Sequence, residues 1–221
     1  MASGDVASLS KHSSLRYTEN GQAQQLGLGV WIGRPKAQFV RHVLDEGRCS
    51  AAVLAVLRSN TGRIIFGVRL RYLDDQLLES EAQVVQQNFQ FFNPDAIIPA
   101  GADPWVEPVP AAMRMPREAL NKLLADYFDS ATVPSLLPPH DDSCRRRQDG
   151  VLMAQQGSCG VPPGTHAFEE KRYPLVDETS GIATAIVIYD RYVGMYLFKV
   201  SGGAIQNIDI VGGAQSTSSG W

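Results

Sequence analysis

The chain lacks several things that would have narrowed its role at once. None of its apolar runs approaches the roughly 18 residues that a membrane-crossing helix needs. Charge of one sign is also missing: 20 Lys and Arg against 23 Asp and Glu leave a formal net charge of −3. A nucleic-acid surface needs a basic face, so no nucleic-acid partner is expected. The one basic run, Arg145-Arg146-Arg147, lies among Asp141, Asp142 and Asp149 and reads as a locally paired strand face. The leading residues MASGDVASLSKHSS have no apolar signal core, so a soluble, cytoplasmic protein is expected. Cysteine is scarce, with three residues and no Cys-x-x-Cys or Cys/His spacing, and neither a metal nor another cofactor is expected. Cys49, in CSAAVLAVL, reads as a small buried residue. Cys144 and Cys159 bracket a short polar segment that a disulfide could close, worth roughly 3 kcal/mol where the compartment allows it. The Gly-rich GLGVWIG (Gly27 to Gly33) precedes no helix and lacks Lys-Ser/Thr, which excludes a phosphate loop.

What the chain does have is strand pattern. From Lys171 to Val211, runs rich in β-branched and aromatic residues (Ile182 to Tyr189, Tyr192 to Val200, Ala204 to Val211) are split only by Asp190-Arg191 and Ser201-Gly202-Gly203. That spacing predicts an antiparallel meander, fed by a strand over Lys171 to Asp177. A second series runs from Gln38 to Val85, punctuated by Gly47, Asn60-Thr61-Gly62 and Asp74-Asp75. The two series overlay. RYTENG (Arg16 to Gly21) aligns with RRRQDG (Arg145 to Gly150), and the hairpin from Val68 aligns with that from Met195 at nearly the same offset. Two anchors with one offset predict an internal duplication.

Between the copies, five prolines forbid a regular element, while Phe89, Phe91, Phe92 and Trp105 are too apolar for a loose linker. An extended strap is expected. Pro116 then opens one amphipathic helix, with Leu120, Leu123, Leu124, Tyr127 and Phe128 on one face. No such helix precedes RYTENG. The concave side of the first copy must therefore be covered by the strap, the second copy or another subunit, or stand open.

A helix, a turn and then a bent sheet resembles the nuclear transport factor 2-like cone shared with SnoaL-like polyketide cyclases and scytalone dehydratase-like enzymes. More narrowly, RYTENG, DDSCRRRQDG, KRYP followed by VDETSGIATAIVIYDR, and the terminal SGW resemble a family of tandem-cone proteins of fungi and bacteria, largely without assigned function. The resemblance implies an α+β fold of two cone-like units of curved antiparallel sheet, the second with its own amphipathic helix and the first lacking it. The units are placed at 1–86 and 115–221, joined by the strap at 87–114. An apolar cavity between helix and sheet is implied, whereas the fold fixes no reaction.

Candidate residues follow from that picture. His42 alternates with Val40 and Leu44 along its strand, and His140 follows two prolines below the helix; both are acid/base candidates. Tyr127, Tyr189 and Tyr196 are candidate hydrogen-bonding catalytic phenols, with Tyr173, Phe128 and Trp105 as substrate-packing residues. Tyr17 and Trp31 would serve the first copy in the same way. Asp209, between Ile208 and Ile210, faces either water or the cavity. The expected function is a cofactor-independent cyclase or isomerase of a terpenoid or polyketide intermediate in secondary metabolism, of Diels–Alder type at the extreme, acting by shape in an apolar pocket. The alternatives are a dehydratase or hydrolase with a His or Asp base, and a non-catalytic carrier. The expected partner is a small lipophilic substrate, and a homodimer through the outer sheet face is left open.

Overall fold

Hairpin chemistry sets the first level of order. At Asn20-Gly21, Asp74-Asp75, Asp149-Gly150, Asp190-Arg191 and Gly202-Gly203 both central residues take positive φ. Two-residue turns of that kind match the right-handed twist of the strands they join. A computed structural model describes residues 6, 8–154, 158–162, 164–215 and 220–221, the side chains of 214 and 215 excepted. Its strands form two six-stranded sheets.

The first sheet holds β1 (Lys11–Glu19), β2 (Gln22–Gln24), β3 (Lys36–Asp45), β4 (Ser50–Ser59), β5 (Gly62–Leu73) and β6 (Gln76–Gln86), in the order β2-β1-β6-β5-β4-β3. The second holds β7 (His140–Gln148), β8 (Val151–Ala154), β9 (Glu170–Asp177), β10 (Ile182–Tyr189), β11 (Tyr192–Ser201) and β12 (Ala204–Gln215), in the order β8-β7-β12-β11-β10-β9. The two orders are the same. Neither sheet is purely antiparallel as expected: β1 runs parallel to β6, and β7 parallel to β12. The reason is that β1 and β7 do not join the meander through a hairpin but return along its last strand. The segment from Cys144 to Leu152 forms a hairpin that turns at Asp149-Gly150.

In the ladders β5–β6 and β11–β12 the copies correspond position by position. Phe66 pairs with Val84 where Gly194 pairs with Gly212, and both ladders slip at the same place, Arg71/Tyr72 and Lys199/Val200. The duplication extends to the packing. Arg41 reaches Asp209 across the interface at 2.8 Å, and its counterpart Arg172 reaches Glu81, the counterpart of Asp209, at 3.1 Å. Reciprocal contacts of this kind are what a two-fold interface requires. The two sheets thus meet as a dimer within one chain, through the outer face left open for a homodimer. Asp209 faces neither water nor cavity; it is buried between the sheets.

Three apolar layers result. Between the sheets lie Val43, Leu54, Val56 and Ile65 against Leu175, Ile186, Met195 and Leu197, closed by Ile97 and Trp105 of the strap. On the far side of the second sheet packs α1 (Arg117–Asp129), burying Leu120, Leu124, Tyr127 and Phe128. With cover on both faces, β10 can be buried almost throughout, which accounts for its continuous apolar run. On the far side of the first sheet no α-helix lies among the described residues, only the 3-10 turn Gly29–Gly33. Leu9, Leu15, Leu26 and the buried Trp31 cover part of it. The rest is bare: Leu44 is 51% exposed where its counterpart Val176, under α1, is 2% exposed.

Cys49 is exposed, correcting the buried reading, because it occupies the left-handed turn (φ 46°) ahead of β4. Cys144 and Cys159 are joined, tying β7 to the segment that leads back to β9.

Candidate functional site

The space between α1 and the second sheet is not the large apolar chamber expected. Phe128 packs edge-on against Phe168 at 4.8 Å and Tyr196 at 5.2 Å, and Tyr127 against Phe198 at 5.0 Å, so aromatic rings from helix and sheet fill it. Two contiguous openings remain at the end of the sheet marked by the Tyr189 to Tyr192 hairpin. One is a cleft of 690 Å³ between β10 to β12 and the start of the strap at Phe89 and Phe91. The other is a crevice of 270 Å³ beneath Val161 to Phe168, reaching Tyr127 and Arg146. Gln148, Tyr189, Tyr196 and Ile210 line both.

Comparison of the copies shows why the cleft exists. In the first sheet Phe66 and Val84 fill the concave wall, and Phe66 packs against Trp31 at 5.4 Å. In the second sheet the same two positions are Gly194 and Gly212, which line the cleft. A Cβ at Gly212 would lie 3.1 Å from Gln148 Nε2 and 3.3 Å from Asp149 Oδ2, and one at Gly194 would lie 3.0 Å from the Tyr196 ring. The glycines let these three side chains lie close against the sheet at the cleft wall.

Asp149 is itself a departure from the first copy. Its counterpart Asn20 accepts the Val84 N–H through Oδ1 at 2.8 Å and donates from Nδ2 to the Val84 carbonyl at 3.2 Å. Asp149 accepts the equivalent Gly212 N–H at 2.9 Å, and its own N–H donates to Ile210 as that of Asn20 does to Ala82. Burial drives the Asp149 pKa up to about 7, against the opposing pull of the Gly212 N–H. A neutral amide can fill the structural role, and the second copy uses a titratable acid there instead.

The phenols around it stay protonated. Burial raises the pKa of Tyr196, and the nearby charge of Asp149 adds to the shift. Burial likewise raises that of Tyr127, whose hydroxyl donates to the Cys159 carbonyl at 3.2 Å, while Arg146 opposes the rise. Arg146 enters the crevice with a buried Nε that has no hydrogen-bond partner among the described residues.

Of the residues singled out from sequence, Tyr127, Tyr189 and Tyr196 come together here. Phe128 and Tyr173 stand behind them as packing, with ring centroids 6.4 Å apart, and burial pushes Tyr173 up to about 12. The others do not join the site. His42 is exposed on β3 and lines a separate groove with Asp45 and Arg117. His140 lines an adjoining pocket with Leu137 and Gly160 that shares Arg146, Met153, Val161 and Pro162 with the crevice; burial lowers its pKa. Tyr17 donates to Glu19 at 2.9 Å in the first copy, and Trp31 plugs that copy's wall. Trp105 lies under Arg41, 4.6 Å from ring centroid to guanidinium, in the strap. Asp149, Arg146, Gln148 and the Gly194/Gly212 pair were not singled out. Aligning RYTENG with RRRQDG would have set Asn20 against Asp149, the one available signal.

No cluster of three or more metal-ligating side chains occurs among the described residues, and no helix there is long and apolar enough to cross a membrane. The model of a family described only as a domain of unknown function, DUF8021, matches residues 113–212, which covers α1 and the second sheet. No curated protein and no solved structure matches the chain.

Proposed function

We propose that the second copy is a small-molecule enzyme, a cofactor-independent cyclase or isomerase of a terpenoid or polyketide intermediate, within a tandem nuclear transport factor 2-like architecture. The observation that carries this reading is the paired difference between the copies. Where one has Phe66, Val84 and a neutral Asn20, the other has two glycines and an acid that titrates near neutrality. Space and a proton donor have been placed at the same spot, and structure alone needed neither.

The chemistry follows from the protonation states. Asp149, with a pKa of about 7, can both give and take a proton at neutral pH. The neutral phenol of Tyr196 and the Arg146 guanidinium are donors that would polarise a substrate oxygen in a site where few waters compete. Phe89, Phe91 and Tyr189 would hold the carbon skeleton in a reactive conformation. A histidine-based dehydratase has less support, since His42 lies in a separate groove and His140 lines only the pocket adjoining the crevice; Asp149 could serve an eliminating enzyme as well. The Cys144–Cys159 bridge beside the crevice suits an oxidising compartment better than the cytoplasm.

The test is mass balance. Protein incubated with a library of terpenoid and polyketide intermediates should convert one of them to a product of unchanged mass and altered chromatographic retention. Asp149→Asn should stop that conversion, and Gly212→Val should also prevent binding. Loss of water would identify the dehydratase, and ligand recovered unchanged would identify a carrier.

A further inference from the structure

The strap has a seat, and the duplication gives that seat a twin. Residues 103–113, which turn at 104–107 and end in a 3-10 turn at Ala111–Met113, lie against the second copy and Arg41 of the first, held at five points. Asp103 takes a bidentate pair of hydrogen bonds from Arg41 at 2.7 and 3.1 Å. Trp105 lies under the same guanidinium. Lys199, buried, donates to the carbonyls of Trp105 and Glu107 at 2.9 and 2.7 Å. The Val109 N–H donates to Thr179, and Gly202 donates to the Met113 carbonyl.

Register carries each point of this seat onto the first copy. Arg41 corresponds to Arg172, Lys199 to Arg71, Ser180 to Arg48, Gly181 to Cys49 and Ser201 to Leu73. Gly181 and Cys49 share the left-handed conformation, at φ 64° and 46°. These counterparts line one open groove of 780 Å³. The groove is more basic than the occupied seat, with Arg48, Arg69, Arg71 and Arg172 along it and no acid among its lining residues. Arg69 and Arg172 are held from within by Glu81. Arg71, whose side chain is 50% exposed, shares its charge with Glu79 at 3.1 Å, so the charge presented outward is chiefly that of Arg48. Leu73 is an exposed apolar residue at the position where Ser201 meets Met113 of the strap.

We propose that this groove is a docking site for an acidic, aromatic-bearing peptide segment of a partner polypeptide, seated as the strap is seated on the second copy. One acid meets Arg48 and a second displaces Glu79 from Arg71, its aromatic ring packs near Arg172, and an aliphatic side chain covers Leu73. Because the groove lies outside the cleft, the proposal stands apart from the enzymatic reading. The required chemistry is that of the strap itself, Asp-Pro-Trp-Val-Glu, on a seat with added positive charge.

Cys49 makes the test direct, since it is the free cysteine of the chain and is exposed. A Cβ at its counterpart Gly181 would lie 2.8 Å from Val109 of the strap, so a peptide in the twin seat must cover the thiol. The probe is an N-acetylated peptide with the sequence of residues 102–113, ADPWVEPVPAAM. At a peptide concentration about tenfold above its Kd, iodoacetamide alkylation of Cys49 should slow about tenfold, because only the unliganded fraction reacts. Added salt should relieve the protection. It should vanish in the Arg48→Glu/Arg71→Glu double variant, whose exposed side chains leave the fold intact by circular dichroism. Fluorescence anisotropy of the labelled peptide should show the same loss. Unchanged alkylation at millimolar peptide would overturn the proposal, as would equal protection by a peptide with its two acids neutralised and Trp replaced by Ala. So would self-association of the protein that the double variant abolishes, which would put a second copy in the groove.

Discussion

Replacing Asp149 by Asn, the residue the first copy carries at this position, should stabilise the protein, and only at higher pH. The folded-state pKa of about 7 lies above the ordinary 3.8. Below about pH 4 the carboxyl is protonated in both states and contributes no pH dependence. Between about pH 4 and 7 the unfolded chain ionises while the folded chain holds its proton, so stability falls as pH rises, and it levels off above that window. A separation of about three pH units at 1.36 kcal/mol each sets the loss at about 4 kcal/mol. Asn is neutral throughout and can reproduce both hydrogen bonds that Asn20 makes to Val84. Urea unfolding of the two proteins at pH 4, 6 and 8 should therefore give near-equal stabilities at the lowest pH. At the highest, the variant should be favoured by up to about 4 kcal/mol. Other groups that titrate in this range cancel in the difference. A variant that is less stable at pH 8, or a difference that does not vary with pH, would refute the assignment of Asp149 as a buried acid poised for proton transfer.

Other consequences concern the architecture. Arg41→Ala should cost about 3–5 kcal/mol, since it leaves Asp209 buried and without its closest guanidinium; Asp209→Asn introduced with it should recover part of the loss in a double-mutant cycle by chemical denaturation. Reduction of Cys144–Cys159, or Cys144→Ser, should lower stability by about 3 kcal/mol for a loop of this length. A thermal scan with and without reductant measures that change. Multi-angle light scattering of the free protein should give a monomer of 24.1 kDa, because the face through which two cones would pair is already occupied within the chain.

Much of this architecture was legible in the sequence, for local reasons. Strand runs and two-residue turns are encoded within a few neighbours, so Ile182 to Tyr189 emerges with the bounds read from its pattern. The helix likewise follows from Pro116 and its apolar stripe. Alternation correctly put Val40, His42 and Leu44 on one face of β3. The site was less legible, because abundance misdirected it. Tyrosines and histidines are conspicuous as residue types, whereas the decisive features are two glycines and an aspartate in a turn. Asp149 reads as an ordinary turn residue until Gly212 is known to lie beside it. Asp209 could not be placed by alternation, because what lies across from it, Arg41, belongs to the other copy.

By itself the sequence determined the two strand series, their turns, the single helix between them and the fact of repetition, since each depends on periodicity or on the φ preferences of adjacent residues. Only the tertiary structure decided that β1 and β7 run parallel to the closing strands. It alone decided that the copies meet through reciprocal Arg41–Asp209 and Arg172–Glu81 pairs, and that Gly194 and Gly212 line a cleft where the other sheet has Phe66 and Val84. Those outcomes depend on which distant side chains exclude water from one another, and burial of that kind raises the pKa of a turn aspartate.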